Sequence, residues 1–128
     1  MSAKTDNGQV ARVLAALGNP TRLELVKRLS LAETFAGQSI TELTEATGLS
    51  RQAITKHLDA LAGAGLVTRR KPGRETWYEL ETEPLGAAVD LLAKIVEQRA
   101  QSLRELNSYR DRMKRRDNLS PRASRAPR

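Results

Sequence analysis

The 128-residue chain contains no cysteine and a single histidine, His57. Disulfides and thiolate chemistry are thereby excluded, and one histidine without cysteine does not make a metal site of the usual kind. Aromatic residues are few: Phe35, Trp77, Tyr78 and Tyr109. A core must therefore be built from Leu, Val, Ile and Ala. Apolar residues make up 39% of the chain, which is low for a globular protein. Such a core is thin, and dimerisation would help it. No run approaches 18 consecutive apolar residues, which argues against a membrane-spanning helix. The first thirty residues also lack the basic-then-apolar pattern of a signal peptide. A soluble, cytoplasmic protein with no membrane association is expected. No nucleophile–base pairing, carboxylate dyad or phosphate loop is evident, so neither enzymatic activity nor a cofactor is expected.

Positive charge is what the chain has in excess, with a net +7, but its location matters. Residues 1–109 carry 14 Lys/Arg against 13 Asp/Glu, a net +1, whereas residues 110–128 carry 8 against 2, a net +6. The overall charge thus says little about the folded body. A local window says more. Between positions 51 and 74, Arg51, Lys56, Arg69, Arg70, Lys71 and Arg74 face only one acid, Asp59.

Hydrophobic spacing divides the chain into elements. Residues 1–8 are polar and expected to be frayed. Val10, Val13, Leu14 and Leu17 recur at helical spacing and stop at Gly18. Asn19 is suited to an N-cap and Pro20 to the first turn of a second helix, which carries Leu23, Leu25, Val26, Leu29 and Leu31. The stretch "AETFAGQ" reads as a loop. Ser39 followed by Glu42 has the form of a capping box, opening a short helix with Ile40, Leu43 and Ala46 that Gly48 ends. Ser50 caps a fourth helix from Arg51 to Ala62, closed by Gly63 or Gly65. From Leu66 the period becomes two. "LVTRR" and "TWYEL" flank Lys71-Pro72-Gly73-Arg74, the pattern of a β-hairpin with a basic tip. Pro84 opens a long last helix with Leu85, Val89, Leu92, Ile95, Val96, Leu103 and Leu106 on its apolar stripe. Beyond Tyr109 that pattern fades into an Arg-, Ser- and Pro-rich tail, residues 110–128, expected to be disordered.

The fold class is mainly α with a small β-hairpin (α+β), in one domain spanning residues 9–109. Its two central short helices are joined by "TGLS", a turn of helix-turn-helix length and glycine content. On the fourth helix, Ile54, His57, Leu58 and Leu61 share one side, while Arg51, Gln52, Thr55, Lys56 and Asp59 lie away from it. A solvated face is the ordinary explanation for such a group. Three features favour DNA instead. The group starts at the helix N-terminus, where base-reading residues of helix-turn-helix proteins lie. Arg, Gln and Thr are types that read base edges. A basic hairpin follows at once, suited to phosphate contact. His57 borders the apolar flank, so a half-buried structural role and a phosphate contact are equally open.

The stretches "ALGNPTRLELVKRL", "SITELTEATGLSRQAITKHLDALAGAGLV" and "GRETWYELETEPL" resemble the ArsR-type winged-helix repressors, the bacterial arsenical-resistance-repressor family. The resemblance covers roughly residues 10–106. It implies a winged helix-turn-helix whose first and last helices join a homodimer, each subunit presenting a recognition helix and a wing to double-stranded DNA. Residue by residue, it places Ser50, Arg51, Gln52, Thr55, Lys56 and His57 on the recognition helix and Gly73 and Arg74 at the wing tip, where the hairpin cations Arg70 and Lys71 join them as expected DNA contacts. Val13, Leu17, Leu85, Val89, Leu92 and Val96 would serve the dimer interface. Metal-sensing members carry cysteines on the helix before the recognition helix, or His and acidic pairs on the last helix. Here neither region holds Cys or His, so the resemblance is to the branch without metal ligands, and no metal is expected.

The function these features imply is a dimeric, sequence-specific transcriptional regulator, a repressor occupying a near-palindromic operator. A small-molecule effector between the last helices and the first is one alternative, and no ligand at all is the other. Two further functions compete. One is an architectural nucleic-acid binder driven by the basic tail, and the other is a winged-helix module that docks a protein.

Overall fold

A computed structural model describes residues 7–32 and 37–119. The expectations for residues 1–6, for most of the "AETFAGQ" loop and for 120–128 lie outside the described residues. The elements run α1 (Asn7–Leu17), α2 (Pro20–Leu29), β1 (Gln38–Ser39), α3 (Ile40–Thr47), α4 (Arg51–Gly63), β2 (Val67–Arg70), β3 (Trp77–Leu80) and α5 (Thr82–Leu119). The chain divides into two compact units, one ending at Asp90 and the other starting at Leu91.

In the first unit, local chemistry sets most boundaries. Asn19 accepts hydrogen bonds from the backbone of Thr21 and Arg22, starting α2 with Pro20 in its first turn. Arg22 then reaches back, its Nε donating to the Ala16 carbonyl at 2.7 Å. A cation thus satisfies the carbonyl end of α1, which has no basic residue in its own last turn. Ser39 and Glu42 form the reciprocal capping box of α3.

The sheet is antiparallel and three-stranded, in the order β1-β3-β2. The wing strands pair Val67 with Leu80, Thr68 with Glu79, Arg69 with Tyr78 and Arg70 with Trp77. The extra strand β1 pairs Gln38 with Tyr78 and Ser39 with Trp77, which corrects the expectation of a two-stranded hairpin alone. A two-residue strand has no alternation to recognise. Gly37 precedes it with φ 90°, and a Cβ there would collide with the Tyr78 carbonyl. Only glycine suits both the angle and the approach.

Helix α4 is central: it packs against α1, α2, α3 and β2. Its Ile54, Leu58 and Leu61 have no exposed surface, nor have Val13, Leu25, Leu43 and Leu66. Among the described residues, Tyr78 is the one aromatic of the largest fully buried side chains. Burial raises its phenol above the ordinary tyrosine value. The Arg69 cation, which hydrogen-bonds it, opposes that rise, while the Asp59 carboxylate adds to it. Two helical expectations shift. Leu23 and Leu31 of the second apolar series are exposed rather than buried, Leu31 lying beyond the end of α2. Val13, expected at a dimer interface, is fully buried within the chain, and Leu14 is the exposed apolar residue beside it.

The second unit is the remainder of α5. It carries exposed Leu92, Ile95, Val96, Leu103, Leu106 and Tyr109. Its polar side is laced by Arg104–Glu97 at 3.0 Å, Arg104–Gln101 at 2.7 Å and Gln101–Glu105 at 2.9 Å. The helix continues to Leu119, so residues 110–119 are helical and not disordered as expected. Contacts one turn apart accompany this stretch: Arg110 with Asn107, Arg112 over the Tyr109 ring, and Arg116 with Met113. Helix propensity there is good without an apolar pattern. Likewise Asn7 and Gly8 belong to α1 rather than to a frayed terminus.

Two stability experiments follow. Leu58→Ala should cost about 2–5 kcal/mol, read as a lower midpoint of urea unfolding with an unchanged slope. Tyr78 should make stability fall at alkaline pH. The unfolded phenol titrates at its ordinary value of 10.0 while the folded one keeps its proton longer. Stability is therefore full below that pH and declines as pH rises through the folded value. Tyr78→Phe should lack this component of the decline when the two proteins are compared from pH 8 to 11.

Candidate nucleic-acid interface

The turn between α3 and α4 fixes where the exposed face begins. Gly48 ends α3 at φ 75°, its N–H donating to Thr44 O at 2.9 Å. Thr47 Oγ1 donates to Leu43 O and accepts from Leu49 N. Ser50 Oγ then accepts from Ala53 N at 3.1 Å, starting α4. Ser50, expected among the DNA contacts, has its hydroxyl engaged as an N-cap.

The roll of α4 follows from its buried stripe. With Ile54, Leu58 and Leu61 inward, Gln52, Lys56 and Asp59 are exposed, Thr55 is half-buried, and so is His57. Arg51 is exposed too, but it stands on the flank beside α3. Its Nη1 donates to Thr41 Oγ1 at 3.2 Å, and its Nη2 lies 3.9 Å from Glu75 Oε1. That pair ties the start of α4 to the far side of the wing loop. In the wing, Arg70, Lys71, Gly73 and Arg74 are all exposed.

Six cations therefore share this region, but not in one state. Arg70 donates through Nε and Nη2 to the same oxygen of Glu79, at 2.9 and 2.6 Å. Arg69 lies across the ladder from the buried Tyr78, and Arg51 is held by Thr41 and Glu75. Among the described residues, Lys56, Arg69, Lys71 and Arg74 have no ion-pair partner in the chain. The free cations suit a polyanion. The carboxylates Glu75 and Glu79, and Thr41 with them, were not singled out from the sequence. Their roles depend on contacts between elements: Glu79 meets Arg70 across the β2–β3 pair, and Glu75 and Thr41 meet Arg51.

Among the described residues, no cluster of three or more His, Cys, Asp or Glu is arranged to hold a metal ion. No described helix is long and apolar enough to cross a membrane.

Comparison with known proteins bears on this geometry. A helix-turn-helix domain model matches residues 17–70. A Halobacterium salinarum protein named for the repressor of an arsenical resistance operon, ArsR2, is 43% identical over 68 residues. The match covers 53% of this chain and 56% of that protein, so the chain spans little more than half of its length. The ArsR-like transcriptional regulator from Rhodococcus sp. RHA1 superposes with a TM-score of 0.68 at 33% identity, over 80% of this chain and 93% of that one. Mb0332 from Mycobacterium bovis, described as a homodimeric winged helix-turn-helix DNA-binding domain, superposes at 0.56 with 28% identity, over 79% and 94%.

Proposed function

The chain belongs to the ArsR family of winged helix-turn-helix transcriptional regulators, and on that premise we propose that it is a homodimeric repressor reading a near-palindromic operator. The observation that carries this reading is the exposed N-terminal face of α4, with Gln52 and Lys56 outward, beside a wing whose Lys71 and Arg74 are unpaired. Arg51, Gln52 and Thr55 address base edges in the major groove. Lys56, Lys71 and Arg74 hold phosphates. His57 stays half-buried on the flank of the helix. The regulator works without a metal; in support, the sequence offers no cysteine and one histidine, placed on α4.

Two separate apolar series serve dimerisation in this proposal: Leu14 and Leu17 on α1, and Leu85, Val89, Leu92 and Val96 along α5. Val89, Leu92 and Val96 are 61%, 45% and 68% exposed, and such a series of apolar side chains on one helix marks an interaction surface. The homodimeric neighbour supports the same reading. Two recognition helices roughly 34–36 Å apart then meet successive major grooves. A small change in dimer geometry spoils that spacing, which is how a signal would release the DNA.

Footprinting on sequences selected from random DNA should give one symmetric site. Gln52→Ala should cost about 1–3 kcal/mol there and relax preference at one position of each half-site. Lys71→Ala and Arg74→Ala should weaken all sequences alike, each lowering the salt slope by about one per site. Sequence-blind binding that survives Gln52→Ala and disappears on removal of residues 110–128 would replace this reading with the architectural one.

A further inference from the structure

The division of the six cations into held and free groups has a chemical logic of its own. Lys56, Lys71 and Arg74 stand ready for any phosphate. Arg51 does not, because an acid and a hydroxyl already occupy part of its guanidinium. We propose that Glu75 is a specificity-determining residue of the DNA-binding surface: by engaging Arg51, it withholds that arginine from phosphate and leaves it available to a base edge. This inference rests on α4 being the DNA-reading helix.

Three observations support it. First, Glu75 and Arg51 come from different elements, the wing loop and the first residue of α4. Their contact is therefore specific to the fold, not a neighbour effect along one helix. Second, both side chains stay accessible, 59% exposed for Arg51 and 35% for Glu75. An exposed pair of this kind shifts an equilibrium by at most about fivefold, so it is too weak to hold the fold together. It is strong enough to bias a binding choice. Third, Thr41 takes a second donor at 3.2 Å, which fixes the plane of the guanidinium while leaving several of its five N–H groups free.

The consequence differs between two kinds of DNA. On a random sequence Arg51 can gain only a phosphate contact, and the Glu75 carboxylate both competes for the guanidinium and repels the incoming anion within a Debye length of about 8 Å. On the operator a bidentate contact to guanine, worth roughly tenfold to a hundredfold, uses N–H groups that Glu75 and Thr41 leave free, so the pair persists there and the base edge brings no net charge for the carboxylate to repel. Glu75 therefore subtracts from nonspecific binding more than from specific binding. It acts through Arg51, as a positioning residue.

The experiment compares full-length wild type, Glu75→Gln, Arg51→Ala and the double variant. Each is titrated over a salt series with a selected operator duplex and a random duplex of equal length. Glu75→Gln should strengthen binding to the random duplex about two- to fivefold per subunit and steepen its salt slope. Operator affinity should change by less than about twofold, so the specificity ratio falls. In the Arg51→Ala background, Glu75→Gln should leave the ratio unmoved. The inference is overturned if Glu75→Gln leaves the ratio intact, or lowers it equally without Arg51, which would make the effect one of net charge. If instead Arg51→Ala and Gln52→Ala both leave operator binding intact, the assignment of α4 itself fails, and this inference with it. Far-ultraviolet circular dichroism of these four proteins and of Gln52→Ala separates either outcome from a failure to fold.

Discussion

Ile54, Leu58 and Leu61 occupy one stripe of α4 and have lost all contact with water. Everything functional in the first unit depends on that burial. Four elements close on the stripe, so the helix cannot roll by one residue without moving apolar surface into solvent and polar groups into the core. Side-chain direction at the exposed positions is thus set from behind. The polar residues need only be polar; their aim is dictated by residues that never meet a ligand.

The wing is positioned by a similar division of labour. Strand β3 lies between β1 and β2, and its Tyr78 is buried with Arg69 against it. On the same strand the carboxylate of Glu79 holds Arg70 at the base of the wing, while the loop beyond carries free cations. Rigid pairing at the base and unpaired charge at the tip coexist in one hairpin. This is what a surface requires if it is to be ordered before binding yet retain net charge toward a polyanion.

Much of this was legible in the sequence because the signals were local. Asn19-Pro20, the Ser39/Glu42 box, Gly48 and Ser50 each act within four residues, and each boundary falls where they indicate. What the sequence hid was set by distant partners. Val13 and Leu14 are neighbours of equal hydrophobicity, and only the packing of α1 decides that Val13 turns inward. Strand β1 exists because β3 lies beside it. The end of α5 lacks an apolar face, so periodicity could not register a helix supported by propensity and turn-to-turn contacts. The acids of the wing carried no motif at all; their meaning appears once register sets Arg70 near Glu79 and folding sets Arg51 near Glu75.

Gly37 has a bearing on how such a chain tolerates change in length. Its left-handed backbone and its close approach to the Tyr78 carbonyl lock the entry to β1 at one residue. Insertions or deletions between α2 and β1 must consequently be absorbed upstream of position 37. The join is thus fixed from the strand side, and a change of length before position 37 leaves the strand register that aligns the wing undisturbed.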